Sequence, residues 1–373
     1  MGNTALKLPQ ENHPLHAVPT VSGGHAPRAL LSPLADIFMV GGGSLIFFFV
    51  ANMFVSHQAP SSEVGWFIFN LSFFANFPHF LSSYHMLYGD FRRHIFTKAR
   101  YFWAGVVAPA LIVATIVYGF YFANKTILSG LINSMFFFVG WHYVKQTFGG
   151  MVVSNAINKI YYSKTERWAI KANLFSLWFL SWVSSNLSGE KYDYEGVEYF
   201  VMNVPVWLNT VALAIVGVTA LWAIGTHVKK YLDKGGNVIT APAFACWASL
   251  YAWYLPSLYH PTFFQMVPFF HSLQYLLFVV AFRKNKAAAG GVETPAQRRR
   301  FLFEFYGQLG FMAVTGAAFM WFLPHWIDGK WPNAMIPTAV MFSATIFINV
   351  HHYFIDNVLW RSDNEEMKRY LFS

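Results

Sequence analysis

Histidine is the residue type whose placement in this sequence points most directly to chemistry. The chain contains 14 histidines, and six of them lie within or at the inner end of long apolar segments: His79, His85, His142, His271, His351 and His352. Ionisable groups inside a bilayer are costly and usually face a bundle interior or a cavity. Counted at 1.5 Å per residue of helix, all of the six except His85 lie roughly 10–17 Å below the predicted cytoplasmic boundary of the membrane. This common depth predicts one shared site.

Three of these segments also carry a second polar group on the histidine's face of the helix. Residues three or four apart are neighbours on a helix surface, and a histidine that binds a metal normally has its other ring nitrogen held by a polar group. The predicted metal ligands are His79, His142, His271, His351 and His352. The predicted orienting residues are Gln146, Gln274 and Tyr275, and the predicted catalytic carboxylate is Asp356.

The residue types in this group favour some metals over others. Imidazole suits iron, copper and zinc. Asp356 is the only acidic residue deep in any predicted span, which argues against a di-iron centre built from several glutamates. Histidines with one carboxylate are typical of a non-haem iron centre that activates oxygen. We therefore predict a transition metal, with iron as first choice. Zinc-dependent hydrolysis remains open, as does a haem held by two facing histidines.

Composition indicates how these residues are positioned. Of 373 residues, 55% are hydrophobic and 12% charged, about half the charged fraction of a typical soluble domain. This excludes a free-standing soluble enzyme and a disordered scaffold. A membrane-spanning helix needs about 20 mostly apolar residues, and that criterion predicts an all-α, polytopic bundle of ten spans. The predicted spans are 35–56, 64–88, 101–122, 127–149, 168–188, 203–226, 238–257, 262–282, 303–323 and 336–360.

Lysine and arginine predict the orientation of these spans. With a cytoplasmic N-terminus, 23 of the 26 basic residues lie on or near the cytoplasmic side, and only Lys125, Lys191 and Lys330 face the other side. Both termini are then cytoplasmic in a multi-pass protein of the cell membrane, and the net charge of +9 reflects topology rather than nucleic-acid binding. The predicted regions are a flexible tail (1–32), the transmembrane domain (33–361) and a C-terminal tail (362–373).

Two resemblances accompany these motifs. The stretches 141–149 (WHYVKQTFG), 271–275 (HSLQY) and 351–361 (HHYFIDNVLWR) are similar to motifs of an uncharacterised bacterial family of multi-span membrane proteins. The pattern of several spans with scattered intramembrane histidines also resembles the Brp/Blh group of β-carotene 15,15′-dioxygenases. That second resemblance implies a polytopic iron enzyme that splits β-carotene into retinal.

Three classes of function are compatible with the sequence. The leading hypothesis is a membrane metalloenzyme, an iron-dependent oxygenase acting on a lipophilic small molecule in the bilayer. The first alternative is a proton-coupled transporter or channel, in which the histidines and Asp356 relay protons. The second is a haem-binding or structural subunit of a larger membrane complex, with other membrane subunits as partners.

Overall fold

The computed structural model describes residues 28–54, 62–187, 192–258, 262–289, 294–361 and 363–371. The predicted N-terminal tail therefore lies outside the described residues except for positions 28–32. The described part of the chain is mostly helical, as predicted, and contains one small β-hairpin.

Twelve helices are present in the described ranges, four of them continuous through a π-helical turn. The first six are α1 (Pro33–Ile37, π turn Phe38–Gly42, Gly43–Phe54), α2 (Ser62–His85, π turn Met86–Asp90), α3 (Arg92–Thr97), α4 (Ala99–Phe102, π turn Trp103–Val107, Ala108–Tyr121), α5 (Lys125–Ala156) and α6 (Lys164–Ser184). The others are α7 (Val206–Lys234), α8 (Ala241–Tyr254), α9 (Thr262–Ala289), α10 (Pro295–Ala317, π turn Ala318–Phe322, Leu323–Lys330), α11 (Ala339–Leu359) and α12 (Glu365–Leu371). A 3₁₀ turn, Pro256–Leu258, follows α8.

Each of the ten predicted spans coincides with one of these helices. Among the described residues, six helical segments are long and apolar enough to cross a bilayer: Pro33–Ala51, Ala99–Tyr121, Lys125–Ala156, Val206–Lys234, Met266–Ala289 and Pro295–Lys330. The protein therefore has the character of a membrane protein. Crossing by α2, α6, α8 and α11 remains a prediction, as does the orientation.

Four helices, α2, α5, α9 and α11, lie at the centre of the bundle. Helix α2 packs against α9, α10 and α11, and α5 packs against α6, α8 and α11. The central helices are more buried than the peripheral ones. In the most apolar 18-residue stretch of Met266–Ala289, 72% is buried, whereas in that of Val206–Lys234 only 22% is buried. An apolar helix that is mostly unburied, such as α7, is suited to contact with lipid.

The π-helical turn of α4 has a direct effect on a neighbouring histidine. A π turn displaces the regular backbone ladder and leaves carbonyl groups available to other donors. The carbonyl oxygen of Ala104 lies 2.9 Å from Nε2 of His351, and that of Gly105 accepts a hydrogen bond of 2.8 Å from Tyr88. This turn therefore holds α11 against α4 through His351, and the end of α2 against α4 through Tyr88.

The hairpin differs from the all-α prediction. Strands β1 (Tyr192–Tyr194) and β2 (Val197–Tyr199) are antiparallel and pair Tyr192 with Tyr199, Asp193 with Glu198 and Tyr194 with Val197. The alternation of aromatic and acidic residues explains the strands: Tyr194 and Tyr199 place their rings 5.5 and 5.4 Å from that of Phe136 on α5.

Most of the predicted C-terminal tail forms the short helix α12, which ion pairs hold against the bundle. Lys286 on α9 lies 2.8 Å from Glu366, and Arg100 on α4 lies 2.5 Å from Asp363 just before α12. The hydrogen bond from Arg100 lowers the pKa of the Asp363 carboxyl below its usual value. These contacts join the ends of α4, α9 and α12.

Candidate metal centre

Four histidines meet in the interior of the bundle, one from each central helix. Helix α2 supplies His79, α5 supplies His142, α9 supplies His271 and α11 supplies His352, and one ring nitrogen from each lies within 4.8 Å of all the others. Their exposed fractions are 1%, 5%, 4% and 0% respectively. We call this group the histidine cluster. Residues from positions 79 to 352 converge here, so the cluster is a product of tertiary packing.

The spacing inside the cluster suits a single metal ion. Nε2 of His142 and Nε2 of His271 are 3.2 Å apart, while two nitrogens bound tetrahedrally at 2.0–2.1 Å would be about 3.3 Å apart. No two nitrogens bound to one ion at that distance can be more than about 4.2 Å apart. The four ring nitrogens lie within 4.8 Å of one another, which is slightly more than the separation possible when all four bind one ion. Side-chain shifts below about one ångström would bring all four within binding distance.

Asp356, one turn after His352 on α11, adds a carboxylate oxygen to the same space. Its Oδ2 lies 3.2 Å from Nε2 of His352, 3.6 Å from Nε2 of His142 and 3.9 Å from Nε2 of His79. Asp356 is 5% exposed. One oxygen thus lies among three imidazole nitrogens, in a position where it can act as a fifth ligand.

The strongest indication that the cluster is a ligand-binding site is the convergence of buried polar atoms without hydrogen-bond partners. Nε2 of His79, both ring nitrogens of His352, and Oδ2 of Asp356 are buried and have no hydrogen-bond partner. Buried polar groups in native proteins are nearly always hydrogen-bonded, and each exception calls for an explanation such as a bound ion. Three of these atoms face one another, so one metal ion would satisfy them together.

His79 is held in the tautomer that a metal ligand needs. The hydroxyl of Ser272 donates a hydrogen bond of 2.7 Å to Oδ1 of Asn76, so its only proton is used there. Nδ1 of His79 lies 2.8 Å from the same hydroxyl oxygen and must therefore donate to it. A neutral imidazole that donates through Nδ1 carries its lone pair on Nε2, the atom that faces the cluster.

A hydrogen bond to its other carboxylate oxygen, Oδ1, holds Asp356 in place. Ser83 on α2 donates a hydrogen bond of 2.9 Å to Oδ1 of Asp356, and the same hydroxyl lies 2.6 Å from the phenol oxygen of Tyr275. The ring of Tyr275 packs 4.1 Å from that of His79, centroid to centroid. Tyr275 therefore contacts the cluster from α9, and its orienting role remains a prediction.

The two predicted glutamines hydrogen-bond to helix backbones and to each other. Gln146 donates to the backbone oxygen of His271 at 2.9 Å and to Oε1 of Gln274 at 3.0 Å. Gln274 donates to the backbone oxygen of Val40 at 2.5 Å and lies 3.1 Å from Sγ of Cys246. They position α1, α5 and α9 relative to one another, and thereby the histidines that α5 and α9 carry.

His351, predicted as a fifth histidine ligand, does not join the cluster. Its Nδ1 lies 2.9 Å from the hydroxyl of Tyr84 and its Nε2 lies 2.9 Å from the backbone oxygen of Ala104. Successive residues on a helix are separated by about 100°, so His351 faces α4 where His352 faces the cluster. Both nitrogens of His351 already have partners, which leaves none for a metal. His85 also lies apart, 2.6 Å from Arg283.

Asn76, Ser83 and Ser272 were missed in the sequence, although they hold the predicted ligands. Asn76 lies three residues before His79, Ser83 lies four after it, and Ser272 directly follows His271. Helical spacing alone singles out Asn76 and Ser83 as neighbours of His79. No such signal identifies Ser272, because its contact is with a histidine on another helix.

The geometry does not fit a haem. Two histidines that ligate one haem iron from opposite faces have their nitrogens about 4 Å apart with the macrocycle between them. The nitrogens of His142 and His271 are 3.2 Å apart, and the rings of His79 and His352 lie 5.0 and 5.1 Å from His271 and His142 respectively. These rings occupy the space that a macrocycle would need.

Compared with known protein families, curated protein sequences and solved structures, the chain matches none significantly. The geometry of the histidine cluster therefore carries the functional argument.

Proposed function

We propose that the protein is an integral-membrane metalloenzyme that binds one transition-metal ion, iron, at the histidine cluster and uses it to oxygenate a lipophilic substrate. The observation that carries the proposal is the convergence of unsatisfied Nε2 atoms and Oδ2 of Asp356 at one buried point. A purely structural polar layer would pair these atoms with one another or with backbone groups, as His351 is paired.

The donor set supports iron. Within the described residues the cluster offers four imidazoles and one carboxylate, and no thiolate, since Cys246 lies beside Thr147 and Gln274. Nitrogen and oxygen donors of this kind suit ferrous iron, which when bound supplies oxygen activation at an open coordination position. The four histidines and Asp356 are the residues that would hold the ion.

The protein's own residues prepare the site for that chemistry. Ser272 and Asn76 fix the tautomer of His79, and Ser83 holds Asp356. Burial of every ligand excludes bulk water, which protects reactive species from side reactions. The chain thus presents a rigid, dry set of donors.

The surroundings of the cluster support an apolar substrate. The ring of Phe80 lies 5.3 Å from His79 and 5.0 Å from His352, and the rings of Tyr143 and Tyr353 lie 4.5 and 5.0 Å from His271 and His142. A site lined by aromatic rings in an apolar helical bundle favours a molecule that dissolves in the bilayer. This is the basis for a lipophilic substrate, such as the polyene that the Brp/Blh resemblance implies.

Metal analysis of the purified protein tests the proposal. We expect about one equivalent of iron per chain after expression in iron-supplemented medium, and a fall in thermal stability on chelation because a ligand that binds only the folded state stabilises it. Apo protein reloaded anaerobically with ferrous iron should consume oxygen when lipophilic extract is added, and protein reloaded with zinc should not. Less than about a tenth of an equivalent of any transition metal would overturn the proposal.

We further propose that all ten predicted spans cross the cytoplasmic membrane, with both termini in the cytoplasm. The ten helices and the distribution of the 26 basic residues support this. Single cysteines introduced at Lys159 and Lys330, in a Cys246→Ser background, should react with a membrane-impermeant maleimide from opposite sides. Labelling of both from the same side contradicts the orientation.

A further inference from the structure

The line along which α5 and α6 pack against each other, which we call the α5–α6 seam, has aromatic contacts at both ends. At one end the ring of Phe137 on α5 lies 4.8 Å from that of Trp178 on α6, centroid to centroid. At the other end, Nζ of Lys171 on α6 lies 4.8 Å from the centroid of the Phe148 ring on α5. Phe137 and Phe148 are 11 residues apart (148 − 137), so the seam is about 17 Å long at 1.5 Å per residue.

Aromatic and basic side chains follow the seam on both helices. Residues three or four apart share one face of a helix. The residues with this spacing are Phe137, Trp141, Lys145 and Phe148 on α5, and Trp168, Lys171, Phe175 and Trp178 on α6. Trp168 is 60% exposed and Phe137 is 41% exposed. Exposed aromatic rings on apolar helices are suited to contact with lipid.

Two lysines lie at one end of the seam without a counter-charge. Nζ of Lys145 lies 5.3 Å from the centroid of the Trp141 ring, and Lys171 reaches across to α5. Within the described ranges, neither ammonium group forms an ion pair or a hydrogen bond, and their contacts are with aromatic rings. By comparison, Nζ of Lys230 on α7 lies 3.0 Å from the carboxylate of Glu166. A lysine that only extends its charge to water would not lie across a neighbouring helix.

A third positive charge increases the repulsion at this end of the seam. Lys171 and Arg361, just after α11, both lie close enough to Lys145 for their charges to act on its ammonium group. Arg361 lies 3.2 Å from Asp363, but that carboxylate is exposed and is shared with Arg100. Like charges gathered in this way repel one another, and a bound anion would offset the repulsion.

We propose that the α5–α6 seam binds an anionic phospholipid, with its phosphodiester group at Lys145 and Lys171 and an acyl chain along the aromatic residues. In the predicted spans 127–149 and 168–188, the two lysines lie roughly 5–6 Å inside the same membrane boundary. Basic residues near a membrane surface attract anionic lipids. The length of the seam is close to the hydrocarbon thickness of one leaflet, about 15 Å. This apolar extension favours a lipid over a free phosphate compound.

Native mass spectrometry of the full-length protein tests the proposal with two lipids that have identical acyl chains. We expect wild-type protein to retain phosphatidylglycerol over phosphatidylcholine. Lys145→Ala and Lys171→Ala should each lower this retention about fivefold, and the double alanine variant about 30-fold, since each lysine contributes separately to headgroup attraction. The double arginine variant keeps both charges and should retain the lipid. Lys229→Ala, which removes an exposed lysine of α7 outside the seam, is the matched control and should behave as wild type.

Thermal unfolding separates loss of binding from loss of folding. In lipid-free detergent the double alanine variant should be at least as stable as wild type, because the repulsion between the lysines is removed. Added phosphatidylglycerol should raise the Tm of wild type and not that of the variant. Glycerol 3-phosphate, which has the phosphate but no acyl chains, should not displace the lipid.

Four results would each overturn the proposal. They are equal retention of the two lipids by wild type, unchanged retention by the double alanine variant, loss of retention in the double arginine variant, and displacement of the lipid by glycerol 3-phosphate. None of these measurements depends on a bound metal, so they test the seam separately from the histidine cluster.

Discussion

His351 and His352 are adjacent in the sequence, at the same depth of α11, and nearly equally buried, yet they occupy opposite chemical situations. Ala104 accepts from Nε2 of His351 and Tyr84 donates to its Nδ1, which together satisfy one neutral tautomer. Neither nitrogen of His352 has a hydrogen-bond partner, although the residue is fully buried, and its Nε2 lies 3.2 Å from the equally unsatisfied Oδ2 of Asp356. Leaving polar groups buried and unpaired costs free energy, so the environment of His352 is the one that implies a ligand.

The comparison shows which property separates a structural histidine from a proposed metal ligand. Residue type, depth and burial are shared by the two residues, and only their hydrogen bonding differs. A difference of about 100° around one helix turns one ring towards α4 and the other towards α2, α5 and α9.

Removal of a cluster histidine should have the largest effect. We expect His142→Ala, His271→Ala or His352→Ala to reduce bound metal from about one equivalent to less than about a tenth, since each removes a ligand and leaves a cavity. His351→Ala should retain the metal. Elemental analysis of matched preparations measures both, and the distinction between the two histidines fails if H351A and H352A lose metal equally.

Asp356→Asn should have the next largest effect. The amide keeps the shape and the hydrogen-bond acceptor but removes the charge beside three imidazoles, so we expect metal affinity to fall about 10–100-fold, measured by competition with a chelator. Asp328→Asn is the matched control, because Asp328 is also buried and accepts from Val340 and Met341 at the start of α11. That variant should lower thermal stability and leave metal affinity unchanged; an equal loss of affinity in both variants would show that Asp356 acts only on the fold.

Ser83 and Ser82 provide a second adjacent pair of the same kind. Ser83 donates to Asp356, whereas Ser82 contacts Sδ of Met312 at 3.5 Å. We expect Ser83→Ala to weaken metal binding about tenfold, as the loss of a residue that orients a ligand does, and Ser82→Ala to leave it unchanged. Identical affinities in the two variants would assign Ser83 no role in positioning the carboxylate.

The smallest effect should follow from the hydrogen bonds of His351. Tyr84→Phe removes one partner of Nδ1 and should destabilise the protein by about 1 kcal/mol, while His351→Ala also leaves the Ala104 carbonyl unpaired and should cost about 2–3 kcal/mol. Thermal denaturation in detergent of the metal-loaded and metal-free forms provides the measurement. Stability losses that disappear in metal-free protein would instead connect His351 to the metal centre.

Much of this arrangement can be predicted from sequence. The long apolar segments specify the helices, and the similar depths of His79, His142, His271 and His352 correctly indicate that they meet. The rotation of each ring is not predictable, because it depends on helix packing; this is why His351 was included and Ser272 was missed. The contact between His351 and Ala104 depends on a π turn, for which the sequence of α4 carries no signal.

The spread of the four cluster histidines along the chain also affects when the centre can form during biosynthesis. His79 and His352 are separated by 273 positions (352 − 79), which a ribosome needs about 14–55 s to traverse. Three histidines are inserted and able to bind metals non-specifically before α11 is made. For the proposed metal centre, specific loading would follow docking of α11, and metal delivery would act on the full-length, membrane-inserted protein rather than on the nascent chain.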